Sequence, residues 1–419
     1  MAQRFLMLNS VKKHIYFYYI LKIFTGLMSL AAIILFVNYA GQYVYGQYAL
    51  TISIVYAVNN SLGGWIGQII LKFYTPKKSN NRLKKFLLFS IVISLLIGIL
   101  IITTYFNDYN NIDRIAVLLL FIGIFSYSIY STYLQKGYKF RNITFLEVIR
   151  TLILFSIPFI LVIILRIEIT ITVLLITTAL SYLSPLLFRF ISTFKIRRLR
   201  VKNCNENSFF TIKKRLVRIY LSYGIPIGMW LGISTMLNVS DRYLIEYYFT
   251  FNEVGIYSSV YDITYKICTF ALAPILTAIH PLIMNSYRQR SNDFRLIILK
   301  ALKLEIKILP LLIVLIFVLS YFSNIALNIE TYDFILMAVP ILIGSFLWNF
   351  SMVMHKMLEV QNKTMTMLLY VCIALMVNII GNIILLPVFG YIVAAYTTIA
   401  SFLIYVLLVK FELKTSLND

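Results

Sequence analysis

Residues Ser234 to Thr269 read STMLNVSDRYLIEYYFTFNEVGIYSSVYDITYKICT, and this stretch decides what kind of fold the chain adopts. It lies in a very apolar sequence, yet it carries Asp241, Arg242, Glu246, Glu253, Asp262 and Lys266. Gly255, Ser258, Asp262, Lys266 and Thr269 recur at steps of three and four, which on a helix puts them on one face. Val260, Ile263, Ile267, Phe270 and Leu272 fall on the other faces, suited to lipid or packing. Asp262 and Lys266 form an acid-to-base pair at i, i+4, the favourable orientation on a helix. An ionisable residue in a bilayer helix costs about 2.5–3.5 kcal/mol on insertion scales, so it faces a protein interior or a wet cavity. The stripe is therefore a candidate functional face, with a buried ion pair joining two helices as the simpler alternative.

Composition agrees with a membrane setting. Of 419 residues, 60% are hydrophobic and 13% charged, and the mean hydropathy is +0.85. Soluble domains carry about 25% charged residues, so these charges cannot build a water-facing surface. Cys204, Cys268 and Cys372, like His14, His280 and His355, are scattered without metal-ligand or disulfide spacing. No metal and no other cofactor is expected. The first apolar run, Ile15 to Val37, exceeds a signal-peptide core and is read as an uncleaved first span.

Apolar runs of about 20 residues mark spans of a hydrocarbon core about 30 Å thick. Twelve are predicted, near 15–37, 46–71, 85–106, 113–135, 145–165, 169–194, 215–240, 254–280, 296–322, 332–355, 364–386 and 390–411. Long continuous apolar runs argue for helices over a barrel. Pro158, Pro185, Pro226, Pro274, Pro310 and Pro340 fall within spans as expected kink sites.

Loop charge sets the expected orientation. The segment 195–218 carries nine bases against Glu206 alone, and Lys12, Lys13, Lys77, Lys78, Lys139, Arg288 and Arg290 share its side. Asp108, Asp113, Arg114, Arg166, Glu168, Glu253, Glu330 and Asp333 gather on the other. This bias predicts a multi-pass protein with both termini and the basic linker in the cytoplasm. The net charge of +22 is thus a topology signal, with membrane lipids as partners of the linker and no nucleic acid.

The linker predicts three parts: a six-helix bundle over 1–194, the linker 195–214, and a second six-helix bundle over 215–419. YVYGQYALTISIVY (43–56) aligns with NEVGIYSSVYDITY (252–265) at an offset of 209, matching Gly46 with Gly255, Tyr48 with Tyr257, Ile54 with Ile263 and Tyr56 with Tyr265. The match favours a duplicated bundle with parallel repeats.

Gly46-x-Tyr48 and Gly255-x-Tyr257 resemble the G-x-Y that opens the second and eighth spans of polysaccharide-biosynthesis flippases. Asp241-Arg242-Tyr243 resembles the D-R segment of their seventh span. Asn378-x-x-x-Asn382 followed by LLPVFGYIVAAYTTIAS (385–401) resembles their C-terminal signature, with Val393 and Thr397 as departures from the usual Gly and Ala. The resemblance is to the O-antigen (Wzx-type) flippases of the multidrug/oligosaccharidyl-lipid/polysaccharide exporter superfamily, and it covers nearly the whole chain. It implies an all-α integral membrane fold, twelve transmembrane helices in two six-helix bundles set as a V about a pseudo-two-fold along the membrane normal. It also implies a non-enzymatic activity in a bacterial inner membrane: flipping undecaprenyl-pyrophosphate-linked oligosaccharide repeat units, by alternating access, for O-antigen or capsular polysaccharide. A polysaccharide polymerase and a chain-length regulator are the implied protein partners.

Lys22, Arg150 and Lys266 are the candidate cations for the pyrophosphate head group, with Asp262 holding Lys266 while the cavity is empty and Asp241 and Arg242 acting near the external end. A doubly charged phosphate in a low-dielectric site is attracted by fixed cations far more than in water. Tyr56, Asn60 and Tyr257 are further cavity candidates, Asn60 having helix packing as its alternative. Asn378 and Asn382 read as helix-packing or interhelical hydrogen-bonding residues, Glu305 as a side chain that snorkels from a helix end, and His280 and His355 as interfacial. No Walker loop, G-x-G-x-x-G or D-x-D cluster occurs, which disfavours direct use of ATP and glycosyl transfer. An ion-coupled multidrug or small-molecule antiporter, with a buried carboxylate as coupling group, remains an open alternative. So does a membrane scaffold for glycan-assembly enzymes.

Overall fold

The computed structural model describes residues 2–74, 81–137, 140–197, 214–288, 293–361 and 363–415, and among them there is helix and no β-strand. In chain order the helices are α1 (Ala2–Leu62), α2 (Gly64–Phe73), α3 (Asn81–Tyr105), α4 (Asn111–Lys136), α5 (Phe140–Phe159), α6 (Ile171–Arg197), α7 (Lys214–Tyr248) and α8 (Phe251–Arg288). They continue as α9 (Asp293–Ser320), the short α10 (Ser323–Leu327), α11 (Thr331–Val360), α12 (Thr364–Phe389) and α13 (Ala394–Thr415). Each predicted span has its helix. The first two share α1, which breaks at Gly41 with φ 81, a left-handed conformation that favours glycine. Among the described residues ten segments are long and apolar enough to cross a membrane, Ile23–Phe73 counting as one despite that break. The predicted ninth span is α9, whose Lys303, Glu305 and Lys307 make it the most charged of the set. The protein is a multi-pass membrane protein.

The chain divides into two compact units, Met1–Ala32 with Val58–Gly228, and Ile33–Ala57 with Met229–Asp419. The division is not drawn at the basic linker, most of which lies outside the described residues: α1 and α7 each pass from one unit into the other.

In the first unit α4 packs on α2 and α6, and α5 packs on α6. Ile66 and Ile69 of α2, Leu120 and Phe121 of α4, and Leu174 and Leu175 of α6 are fully buried there. Pro158 sits inside α5, and the helix continues as a π-turn, Ile160–Ile164, closed by the Leu165 amide donating to the Ile160 carbonyl at 3.1 Å. Lys136 donates to the Leu71 carbonyl at 2.5 Å, placing a cation on the exposed carbonyls that end α2.

In the second unit α11 is central and packs on α8, α9 and α13. Its face is almost continuously buried, and Trp348 stacks on Trp230 with ring centroids 6.3 Å apart. His355 is buried here, its ring edge-on to Trp230 at 5.1 Å. α11 turns it toward the core. His280 lies outside the residues whose side chains are described.

The repeated glycines meet each other. A Cβ on Gly46 would lie 2.0 Å from the Phe251 carbonyl oxygen, and one on Gly255 would lie 1.9 Å from that of Gln42. Only glycine at both positions lets α1 and α8 cross backbone to backbone. This crossing delivers Tyr45, Asp262 and Tyr257 to one neighbourhood.

Candidate functional site

The polar interior of the second unit is built where α7 lies among the Ile33–Ala57 part of α1, α8, α12 and α13. Asp241 and Arg242 are consecutive on α7, so their side chains leave the helix about 100° apart and serve different neighbours. Both are buried, at 1% and 4% exposure.

Arg242 turns to α8. Its guanidinium nitrogen donates to Asp262 Oδ1 at 2.5 Å, the other carboxylate oxygen accepts from the Tyr45 hydroxyl at 2.8 Å, and the guanidinium carbon lies 5.3 Å from the Tyr261 ring centre. Arg242 Nε is buried with no hydrogen-bond partner. Asp262, expected to face Lys266, thus has both oxygens engaged by residues more than fifteen positions away in sequence. Lys266 follows one turn later on α8, partly buried.

Asp241 turns to α12 and α13. It accepts from the Tyr257 hydroxyl at 2.7 Å, the Thr398 hydroxyl at 2.6 Å and the Asn382 side-chain amide at 2.8 Å. A further shell orients those donors. Thr397 donates to Asn382 Oδ1 at 2.6 Å, Ser240 donates to Asn378 Oδ1 at 2.7 Å, and Asn382 donates to Asn378 Oδ1 at 3.2 Å. The ion pair and the carboxylate are bridged through aromatic rings, since Tyr257 and Tyr261 stand one turn apart with centroids at 6.0 Å and Tyr261 donates to Asn238 Oδ1 at 3.2 Å.

The structure brings together Asp241 with Tyr257, and Arg242 with Asp262. Tyr56 lies in the same unit, partly buried. Arg150 and Asn60 belong to the first unit, where the Arg150 guanidinium sits 5.1 Å over the Tyr182 ring and Asn60 accepts from Asn59 at 3.2 Å. Lys22 lies outside the residues whose side chains are described. Sequence reasoning passed over Tyr45 and Thr398. Asn378 and Asn382, read as packing or interhelical hydrogen-bonding residues, do bond across helices, Asn378 accepting from Ser240 and Asn382 donating to Asp241. Glu305, expected to snorkel, is instead fully buried on α9. Among the described residues no three His, Cys, Asp or Glu side chains form a metal-binding group.

Long apolar helices that enclose a buried ion pair and a hydrogen-bonded carboxylate define a multi-pass membrane protein with a polar interior. Residues 11–287 match the polysaccharide biosynthesis protein family, and the chain belongs to that family. Three solved structures share the fold. The lipid II flippase MurJ in an inward closed conformation has a TM-score of 0.71 at 16% identity, over 95% of this chain and 87% of that one. An inward-facing multidrug resistance transporter of the MATE family, MOP superfamily, has a TM-score of 0.65 at 13% identity, over 95% and 98%. A MOP superfamily transporter from Pyrococcus furiosus, described by the reverse polarity of its binding pocket, has a TM-score of 0.60 at 12% identity, over 95% and 94%. No curated protein sequence matches the chain.

Proposed function

We propose that the protein is a flippase that carries a polyprenyl-pyrophosphate-linked oligosaccharide across a bacterial inner membrane by alternating access, supplying O-antigen or capsular polysaccharide assembly. Family membership and the fold shared with a lipid II flippase support a lipid-linked glycan as cargo. The observation that carries the reading is Arg242. A guanidinium that is 4% exposed, committed to a single carboxylate and with Nε unpartnered, retains part of its donor fork. That planar fork fits phosphate oxygens in a paired geometry that a lysine ammonium does not reproduce. In this mechanism a pyrophosphate displaces Asp262 from Arg242, Tyr45 holds the released carboxylate, and Lys266 one turn along α8 adds a second cation. Lys22 and Arg150 are proposed as head-group contacts in the first unit, Tyr56 and Asn60 as cavity-lining groups. Both termini and the basic linker are proposed to be cytoplasmic.

A second reading, ion-coupled export of a small molecule, draws on Asp241, a buried carboxylate surrounded by neutral donors. Transfer of a fluorescent undecaprenyl-pyrophosphate-oligosaccharide in proteoliposomes separates the two. Arg242→Ala abolishes transfer while Arg242→Lys retains part of it, both at wild-type membrane levels. Arg242→Ala protein that transfers the lipid at the wild-type rate refutes the flippase mechanism.

A further inference from the structure

α9 has two unlike faces. Its buried side runs through Ile298, Ala301, Glu305, Leu312 and Ile316, which helical spacing puts on one side. Lys300, Lys303 and Lys307 recur at steps of three and four on the opposite side, and all three are exposed. Beyond Lys307 the same outer stripe continues as Leu311, Val314 and Val318, at 68%, 59% and 49% exposure. One outward face thus changes from cationic to apolar within about a turn.

The change falls where a bilayer changes. α9 ends at Ser320 beside the exposed Tyr321, an aromatic suited to a membrane boundary. About 20 helical residues cross a hydrocarbon core, and that length counted back from Ser320 reaches the turn that begins at Lys300. The three lysines therefore stand at the headgroup level of one leaflet, with Leu311, Val314 and Val318 in the acyl region beside it.

Elsewhere the protein engages the cations near its helix ends. Lys72 lies 3.4 Å over the Tyr223 ring, Lys136 donates to the Leu71 carbonyl, Lys356 pairs with Glu359, and Lys363 pairs with Glu412. Among the described residues no acid pairs with Lys300, Lys303 or Lys307. No Asp or Glu occurs between Asp262 and Asp293, Glu305 is on the buried side, and Glu359 of α11 is taken by Lys356. Like charges three and four positions apart on a helix repel one another, and the buried side of α9 fixes the direction in which these three point. A bound anion relieves that repulsion.

We propose that the outer face of α9 binds an anionic phospholipid of the bilayer, its phosphate held by Lys300, Lys303 and Lys307 and an acyl chain laid along Leu311, Val314 and Val318. The order of the stripe, cations and then aliphatic side chains, is the order of head and tail in such a lipid. The stripe holds no amide, carboxylate or aromatic ring to receive a sugar, so its occupant is the phospholipid and not a glycan-bearing lipid. Neither the cargo nor Arg242 enters this inference, and its readout is lipid binding, so it stands or falls separately from the flippase reading.

The test titrates delipidated full-length protein in detergent with phosphatidylglycerol or phosphatidylcholine, counting bound lipid by native mass spectrometry and following the unfolding midpoint. Wild type should bind phosphatidylglycerol the more tightly, and its midpoint should rise with that lipid. A base near an anionic surface is worth about fivefold in affinity, so each single Lys→Gln change should weaken binding about fivefold and the Lys300→Gln, Lys303→Gln, Lys307→Gln triple variant on the order of a hundredfold. The matching triple arginine variant should retain binding. Lys84→Gln, Lys85→Gln protein, which loses two exposed cations from the start of α3, should bind as wild type does. Glutamine variants with wild-type affinity overturn the proposal. So does an equal loss in the α3 variant, equal binding of phosphatidylcholine, or a stripe that retains undecaprenyl pyrophosphate in preference to phosphatidylglycerol.

Discussion

Replacing Gly255 with alanine should pry α1 and α8 apart. The new Cβ would stand 1.9 Å from the Gln42 carbonyl oxygen, a backbone atom that cannot rotate away, whereas ordinary contact begins at 3.4 Å. The helices must separate by about 1.5 Å at a crossing packed as densely as an organic crystal. Overpacking of this kind costs about 1–3 kcal/mol. Tyr45 lies in the turn of α1 that moves, so its 2.8 Å bond to Asp262 breaks, adding about 1.5–3 kcal/mol for a hydrogen bond to a charged group. The better helix propensity of alanine returns about 1 kcal/mol, leaving a net loss of about 1.5–5 kcal/mol. Gly46→Ala should cost a similar amount, since its Cβ meets the Phe251 carbonyl at 2.0 Å. Once one alanine has separated the helices the other enters at little further cost, so the double variant should lose far less than the two single losses added. Denaturant unfolding of the purified protein, followed by tryptophan fluorescence, measures all three. Gly67→Ala, whose Cβ would meet Thr132 at an ordinary 3.4 Å, serves as control. Single variants as stable as the control, or fully additive losses, would refute the crossing as the cause.

Two further outcomes are expected. Tyr257→Phe removes one of the donors from buried Asp241 and should destabilise by about 1–3 kcal/mol. Tyr261→Phe, which loses a 3.2 Å bond to a neutral amide, should cost only about 0.5–1.5 kcal/mol; equal losses in thermal melts would contradict the carboxylate's role. Single cysteines at Asp108, Glu253 and Glu330, in a background lacking Cys204, Cys268 and Cys372, should react with an impermeant maleimide in intact spheroplasts, and labelling only after the membrane is opened would reverse the proposed orientation.

How far the sequence foretells the structure varies with the range of the interaction. Span positions were legible because a hydrocarbon core imposes length and polarity on each helix separately. The break at Gly41 falls in the gap 38–45 between the first two predicted spans, while its left-handed geometry could not be read from the sequence. Asp241 and Asp262 could be picked out as costly charges in an apolar run, but their partners could not. Thr398 and Asn382 reach Asp241 from more than 140 positions away, and Tyr45 reaches Asp262 from 217. Glu305 was misread because its distance from the helix end was weighed above its face. The stripe Ile298, Ala301, Leu312 and Ile316 already marked its side of α9 as the buried one.

The glycine crossing has a reciprocal form. Gly46 meets Phe251, four positions before Gly255, and Gly255 meets Gln42, four positions before Gly46. Each partner thus offers the other the same pair of positions, which is the pattern of an isologous contact between two identical chains. Two separate half-length chains would have to find each other by diffusion, and the contact would then vary with their concentration. Joined in one polypeptide, the two copies of the motif associate at an effective concentration set by the intervening chain. A patch that would otherwise specify a dimer is here formed in every molecule, at any dilution, and always with the same partner.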